Sequence, residues 1–206
     1  MWTGTETEIE LTLIRHGATK ANLEHRYLGK TDESLSSEGR KEIKEQMRIL
    51  AYPFCDRLFS SPLNRCRETA QIIYPNRKIH EINNWSEIDF GKFEGKNYSE
   101  LKENPDYQKW IDSNGTMKIP GGESRTEFEE RSWKGLLQMI DMLEKEHIEN
   151  EKIKAVAVVH GGIIMSLCSR LTDGEYFDFQ VKNGEGYRCV IRYSAGNIEL
   201  KKLERL

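Results

Sequence analysis

The feature that most restricts the fold is the segment Lys154 to Val159 (KAVAVV), which has almost no polar interruption. A strand with one wet face alternates polar and apolar residues. One that is apolar on both faces must be covered on both, as in the middle of a parallel sheet between helices. The remaining chain supplies the alternation such a sheet needs. Ile9 to Ile14 reads as a first strand, and Ser37 to Leu50 as a helix with Ile43, Met47 and Leu50 at helical spacing after a turn at Asp32 to Ser36. Arg57 to Ser60 reads as a short strand running into a helix from Pro62 to about Ile73, and Lys78 to Trp85 as a third strand. Glu127 to Glu146 is predicted to be a long amphipathic helix with Phe128, Trp133, Leu136, Leu137, Ile140 and Leu143 as its stripe. Ile163 to Leu171 is a further helix, and Tyr187 to Tyr193 with Ile198 to Leu203 a closing hairpin around Ser194 to Asn197. The prediction is an α/β fold: a three-layer α/β/α sandwich whose central sheet is mostly parallel, with an antiparallel C-terminal strand. With 206 residues, the chain fits a single domain spanning 1–206.

Composition narrows the function. A net charge of -3 gives no basic excess for nucleic acid. No apolar run reaches the roughly 18 residues of a membrane span. Met1 to Glu10 lacks the basic start and apolar stretch of a signal peptide, so a cytoplasmic location is expected. Cys55, Cys66, Cys168 and Cys189 have no metal-ligand spacing and read as buried free thiols. The sequence does not fix the oligomeric state, and a homodimer is compatible with it.

Chemistry gathers at strand ends. In a parallel sheet, ligands sit at the carboxyl ends of the strands. The first predicted strand ends in Arg15-His16-Gly17, the second in Ser60-Ser61-Pro62 with Arg65 one turn onward, and the last parallel one in His160-Gly161-Gly162. Glu87 follows the third. Each piece alone is weak: Arg-His-Gly arises by chance, a His-Gly-Gly can be only a tight turn, and Glu87 can be a solvated loop carboxylate. Together they suit phosphoryl transfer. Arginine forks neutralise phosphoryl oxygens, a neutral imidazole can attack phosphorus, and a carboxylic acid can protonate the leaving alkoxide. Arginines beside His16 also disfavour its protonation.

The same residues carry a resemblance. Arg15-His16-Gly17-Ala18-Thr19-Lys20-Ala21-Asn22 resembles the RHGxTxxN signature of the histidine phosphatase superfamily, the phosphoglycerate-mutase-like fold. Gly29 to Gly39, Ser60 to Ala70, Glu87 to Gly95, Pro120 to Ser124 and Val158 to Gly162 are similar to its later motifs, in the same order. The resemblance implies that His16 is the phosphorylated nucleophile and Glu87 the proton donor. It implies that Arg15, Arg65 and His160 hold the phosphoryl oxygens, with Asn22 on the same phosphate and Gly161 offering a backbone N–H. It also implies no metal or cofactor, and a small-molecule phosphate ester as partner. Ala18, Cys66 and Phe93 depart from the usual polar residue, Ala and Trp.

Mutases of this family usually carry Glu-Arg-His-Tyr-Gly at the acid loop; here it reads Glu87-Ile88-Asp89-Phe90-Gly91, without the arginine. Hydrolysis is therefore expected over phosphoglycerate mutase activity. The EIDFGKFEG and PGGES stretches look most like the α-ribazole phosphatase branch, which removes a 5′-phosphate from a cobalamin precursor, and broad-specificity sugar phosphatases share them. Residues 96–119, with Tyr98, Tyr107, Trp110 and Lys118, are expected to form a variable cap whose aromatics pack rather than stack on substrate. A P-loop reading of Gly29-Lys30-Thr31 fails because Glu24 stands where that motif needs glycine. A phosphoprotein-binding relic of the fold would have lost the nucleophile or acid, and both are present.

Overall fold

The computed structural model describes residues 7–145, 152–194 and 196–206. Among them, one sheet is built from β1 (Thr7–Arg15), β2 (Arg57–Ser60), β3 (Ile79–Glu81), β4 (Lys152–Val159), β5 (Gly186–Ser194) and β6 (Asn197–Arg205). Their order across the sheet is β3-β2-β4-β1-β5-β6. β4 pairs in parallel with β1 and with β2, and β2 with β3. β5 runs antiparallel to both β1 and β6, so it alone opposes the other strands. The predicted apolar run is thus central. Ala155, Ala157 and Val159 enter one core and Val156 and Val158 the other.

Helices cover both faces. On one, α6 (Arg125–Lys145) and α7 (Gly161–Thr172) set Phe128, Leu136, Met139, Ile163 and Leu167 against Leu11, Leu13 and Ala157. On the other, α2 (Ser37–Gln46) and α3 (Asn64–Ile73) set Ile43, Cys66 and Ala70 against Ile14, Leu58 and Val158. The short α1 (Lys20–Leu23) follows β1, held by reciprocal bonds between Thr19 and Asn22. Residues 96–119 contain α4 (Tyr98–Leu101) and α5 (Pro105–Asp112), the latter opened by Asn104 as cap and Pro105 in its first turn. Leu101, Tyr107 and Ile119 make a separate small core there with Phe93.

Several expected boundaries shift. The third strand ends at Glu81, and Asn83–Trp85 forms a 3-10 turn that drives Trp85 into α6, where its indole N–H donates to the Ser132 carbonyl. The buried face of α6 departs from the predicted stripe accordingly: it includes Ser132 and Gly135, while Leu137 is exposed and Trp133 half-buried beneath Arg170. α3 starts at Asn64, not Pro62, because Leu63 is extended (ψ 141°) and forms its cap residue, and the partnerless Asn64 N–H is then taken by Asp32 Oδ1 at 2.6 Å. α2 stops at Gln46, and of its expected apolar residues only Ile43 is buried. α7 begins at Gly161 rather than Ile163, with His160 as its cap residue. The turn residue Ala195 and the end of the long helix at Glu146 lie outside the described residues. No described helix is long and apolar enough to cross a membrane. The four cysteines are free and buried.

Candidate active site

The strand order β2-β4-β1 puts three carboxyl ends side by side. Ser61 N–H donates to the Val158 carbonyl, and His16 N–H to that of Val159, so Ser61, His160 and His16 sit in a row across the sheet end. The His16 and His160 rings lie 5.1 Å apart, nearly edge to face. The loop after β1 is clamped from the other side. Ser36 Oγ accepts from Gly39 N–H as cap of α2 and donates to the Ala18 carbonyl. A Cβ at Gly39 would come within 2.0 Å of that carbonyl, so only glycine admits the contact.

His16 is only 4% exposed. Its Nδ1 is 2.7 Å from the Gly17 carbonyl oxygen. A carbonyl only accepts, so Nδ1 carries the proton and Nε2 keeps its lone pair. Burial, then repulsion from Arg65 and Arg15, hold the ring well below its ordinary pKa, and it is neutral. His160 is also kept neutral, by burial first and Arg65 second. Arg65 Nε donates to His160 Nδ1 at 3.3 Å, which places the other proton on Nε2, where it is donated to Ser61 Oγ at 2.8 Å. Cys66 Sγ lies 3.5 Å from the same nitrogen, its thiol pushed up by burial to about 12.

Glu87 meets the cluster from the loop after the 3-10 turn. One oxygen accepts from the Ile88 N–H at 3.0 Å and the other faces the Gly162 N–H at 3.4 Å. A Cβ at Gly162 would come within 2.4 Å of the Glu87 carboxylate, so the second glycine makes room for it. Burial raises the Glu87 pKa, outweighing those N–H groups and Arg65. The protonated acid is therefore favoured more than in water.

A cavity of about 580 Å³ opens beside this cluster. Arg15, Glu87, Gly161 and Gly162 are in its wall, with Tyr27, Phe90, Trp110, Met165, Tyr176 and Phe177 further round. Arg15 donates from one terminal nitrogen to the Val181 carbonyl. Its buried Nε has no hydrogen-bond partner among the described residues and lies against Gly161. An anionic oxygen suits that orphaned donor beside a helix start.

The expected site residues thus fall into two groups. Arg15, Glu87 and Gly161 border the cavity, and Asn22 borders a groove that shares Arg15 with it. His16, His160 and Arg65 lie in the buried layer next to them. Arg65 is fully enclosed and gives its terminal nitrogens to the Thr31 and Gly29 carbonyls, at 2.9 and 2.7 Å. Of the segment 96–119, Tyr107 is packing, Tyr98 is exposed, Lys118 pairs with Glu127, and Trp110 both packs on Tyr27 and walls the cavity.

Other functional residues had no signal in the sequence. Arg131, within a helix read only for its apolar stripe, donates to the Asn84, Ser86 and Glu87 carbonyls and pairs with Glu123, fixing the acid loop. Asn183 donates to the His16 carbonyl from a loop without a motif. Arg125 sits over the Tyr176 and Phe177 rings and donates to the Asn114 carbonyl, joining segment 96–119 to the far wall.

Known proteins of this architecture agree. The family model of the histidine phosphatase superfamily (branch 1) matches residues 11–205. The uncharacterized phosphatase PhoE of Bacillus subtilis is 30% identical over 166 residues, 79% of this chain and 77% of its own. The α-ribazole phosphatase structure from Shigella flexneri superposes with a TM-score of 0.77 at 22% identity, covering 94% of this chain and 95% of that one, which shows a shared fold. A phosphoglycerate mutase from Thermus thermophilus gives a TM-score of 0.65 at 29% identity, over 96% of this chain and 98% of that one. The chain belongs to the histidine phosphatase superfamily, branch 1, and is a phosphatase of that family.

Proposed function

We propose that the protein hydrolyses phosphate monoesters of small molecules through a phosphohistidine at His16. The observation that carries this reading is the Nδ1 bond to the Gly17 carbonyl, which leaves Nε2 unprotonated in a neutral ring beside Arg15 and Arg65. Nε2 attacks phosphorus; the N–P bond forms as the P–O bond to the alcohol breaks. Glu87 gives its proton to the departing oxygen. The resulting carboxylate takes a proton from water, whose oxygen attacks phosphorus and releases inorganic phosphate and the free imidazole. Arg15 holds the phosphoryl oxygens with Gly161 N–H and Asn22, while Arg65 and His160 supply charge and position from the buried layer.

The aromatic cavity favours esters of a bulky, flat alcohol over small sugars. α-Ribazole 5′-phosphate, in cobalamin biosynthesis, has that character and is the substrate we put first. The test is turnover of a generic aryl phosphate, then of a panel with α-ribazole 5′-phosphate, 3-phosphoglycerate and fructose bisphosphates. His16→Ala is expected to abolish hydrolysis throughout; undiminished activity would sink the mechanism. Phosphoglycerate mutase turnover exceeding hydrolysis would contradict the phosphatase assignment.

A further inference from the structure

A second depression, about 500 Å³, borders the same Arg15, Tyr27 and Val181 that wall the cavity. Its character is the opposite of the cavity's. The remaining lining is Asn22, His25, Arg26, Lys182 and Asn183, with no carboxylate among them. The cations are not equally committed. Arg26 is neutralised by Glu24 at 2.8 Å and Glu100 at 2.6 Å. Glu185 accepts from the Lys182 backbone N–H at 3.2 Å and feels its charge, but it is bound to Arg205 at 2.7 Å. Arg15 and Lys182 are therefore the charges the groove presents, with His25 and the Asn22 amide nitrogen as further donors.

The groove is also built on the nucleophile's own loop. Asn183 donates to the His16 carbonyl at 2.8 Å and reaches Asn22 Oδ1 at 3.5 Å. The 183–184 loop is tied down by Gln46 on the Asn183 carbonyl and Tyr52 on that of Gly184. Across from it, His25 holds a left-handed backbone (φ 53°) in a turn closed by the Asn22 and Ala21 carbonyls.

We propose that this groove is a second anion site, one that takes a phosphate dianion next to the catalytic one. Arg15 and Asn22 border both, Asn22 the catalytic one as proposed above, and Lys182 and His25 belong to the groove alone, so the groove can receive released inorganic phosphate while the alcohol product occupies the aromatic cavity. It can equally seat a second phosphate group of a substrate. One amide donor on a rigid loop and two cations without a lining carboxylate suit a doubly charged oxyanion and nothing apolar. The proposal rests on Arg15 holding the transferred phosphoryl group, but a binding titration needs no turnover, so its failure is distinct from failure of the phosphohistidine mechanism.

The experiment is calorimetric titration of inorganic phosphate into the full chain. Wild type is expected to bind two phosphates. Lys182→Glu is expected to weaken one of them by roughly fivefold or more and leave the other, and Lys182→Arg to restore both. One phosphate per chain, or two with affinities untouched by Lys182→Glu, overturns the proposal. A kinetic arm separates the two sources. Loss of kcat/KM for a sugar bisphosphate, with that for the monophosphate kept, assigns the groove to a second substrate phosphate. Weaker product inhibition by phosphate, with both esters unaffected, assigns it to the released ion.

Discussion

At the scale of single residues, the site depends on two groups pushed in opposite directions. Burial and two arginines keep His16 neutral, whereas burial keeps Glu87 protonated above its ordinary range. The signs set the pH dependence. As the proposed proton donor Glu87 works only while protonated, so kcat/KM is expected to fall as pH rises through the raised Glu87 value, and His16 to limit activity only well below its ordinary 6.5. Glu87→Gln is expected to remove that alkaline fall. It is expected to slow alkyl esters, which need the proton, by about 10²-fold or more, and aryl esters much less. Equal losses on both ester types would remove Glu87 from the acid role. That His16, Arg15 and Glu87 come together was legible in the sequence because each ends or follows a strand. Their protonation states were not, because these depend on the Gly17 carbonyl, on Arg65 and on burial, which only the folded chain brings together.

At the scale of elements, the reactive loop is held by helix starts. Ser36 caps α2 and holds the Ala18 carbonyl with one hydroxyl. Ser36→Ala is expected to cost about 1 kcal/mol in thermal or denaturant unfolding and also to lower kcat. Lost stability with unchanged kcat would mean that the cap does not position the loop. The strands and long helices were readable because their apolar periodicity is set by which face is covered. Their ends were not, where a distant group takes part: Asp32 captures the Asn64 N–H, and Trp85 needs the space that Gly135 and Ser132 leave in α6. The cavity was the least legible part. Its walls come from residues 27, 90, 110, 165, 176 and 177, which are far apart in sequence and share no motif.

For the whole molecule, the buried histidines tie stability to pH. Both folded rings resist protonation, while the unfolded chain takes up protons near 6.5. The unfolded state then binds more protons, so the stabilisation is full above 6.5 and is lost as pH falls toward the folded values. Glu87 acts in the other sense, as one group against two. Melting temperature is expected to drop between about pH 7.5 and 5.5, and to drop less in His16→Asn; a flat or rising profile would contradict the buried neutral pair. All these features bear on the one chemical event we propose, transfer of the phosphoryl group to His16 Nε2. Rapid quench of wild-type enzyme turning over an aryl phosphate, followed by peptide mass spectrometry under alkaline conditions, tests it directly. The account predicts a phosphoryl group on the peptide containing His16, absent from His16→Ala; an active enzyme with no such adduct, or with the phosphoryl group on His160 instead, would contradict it.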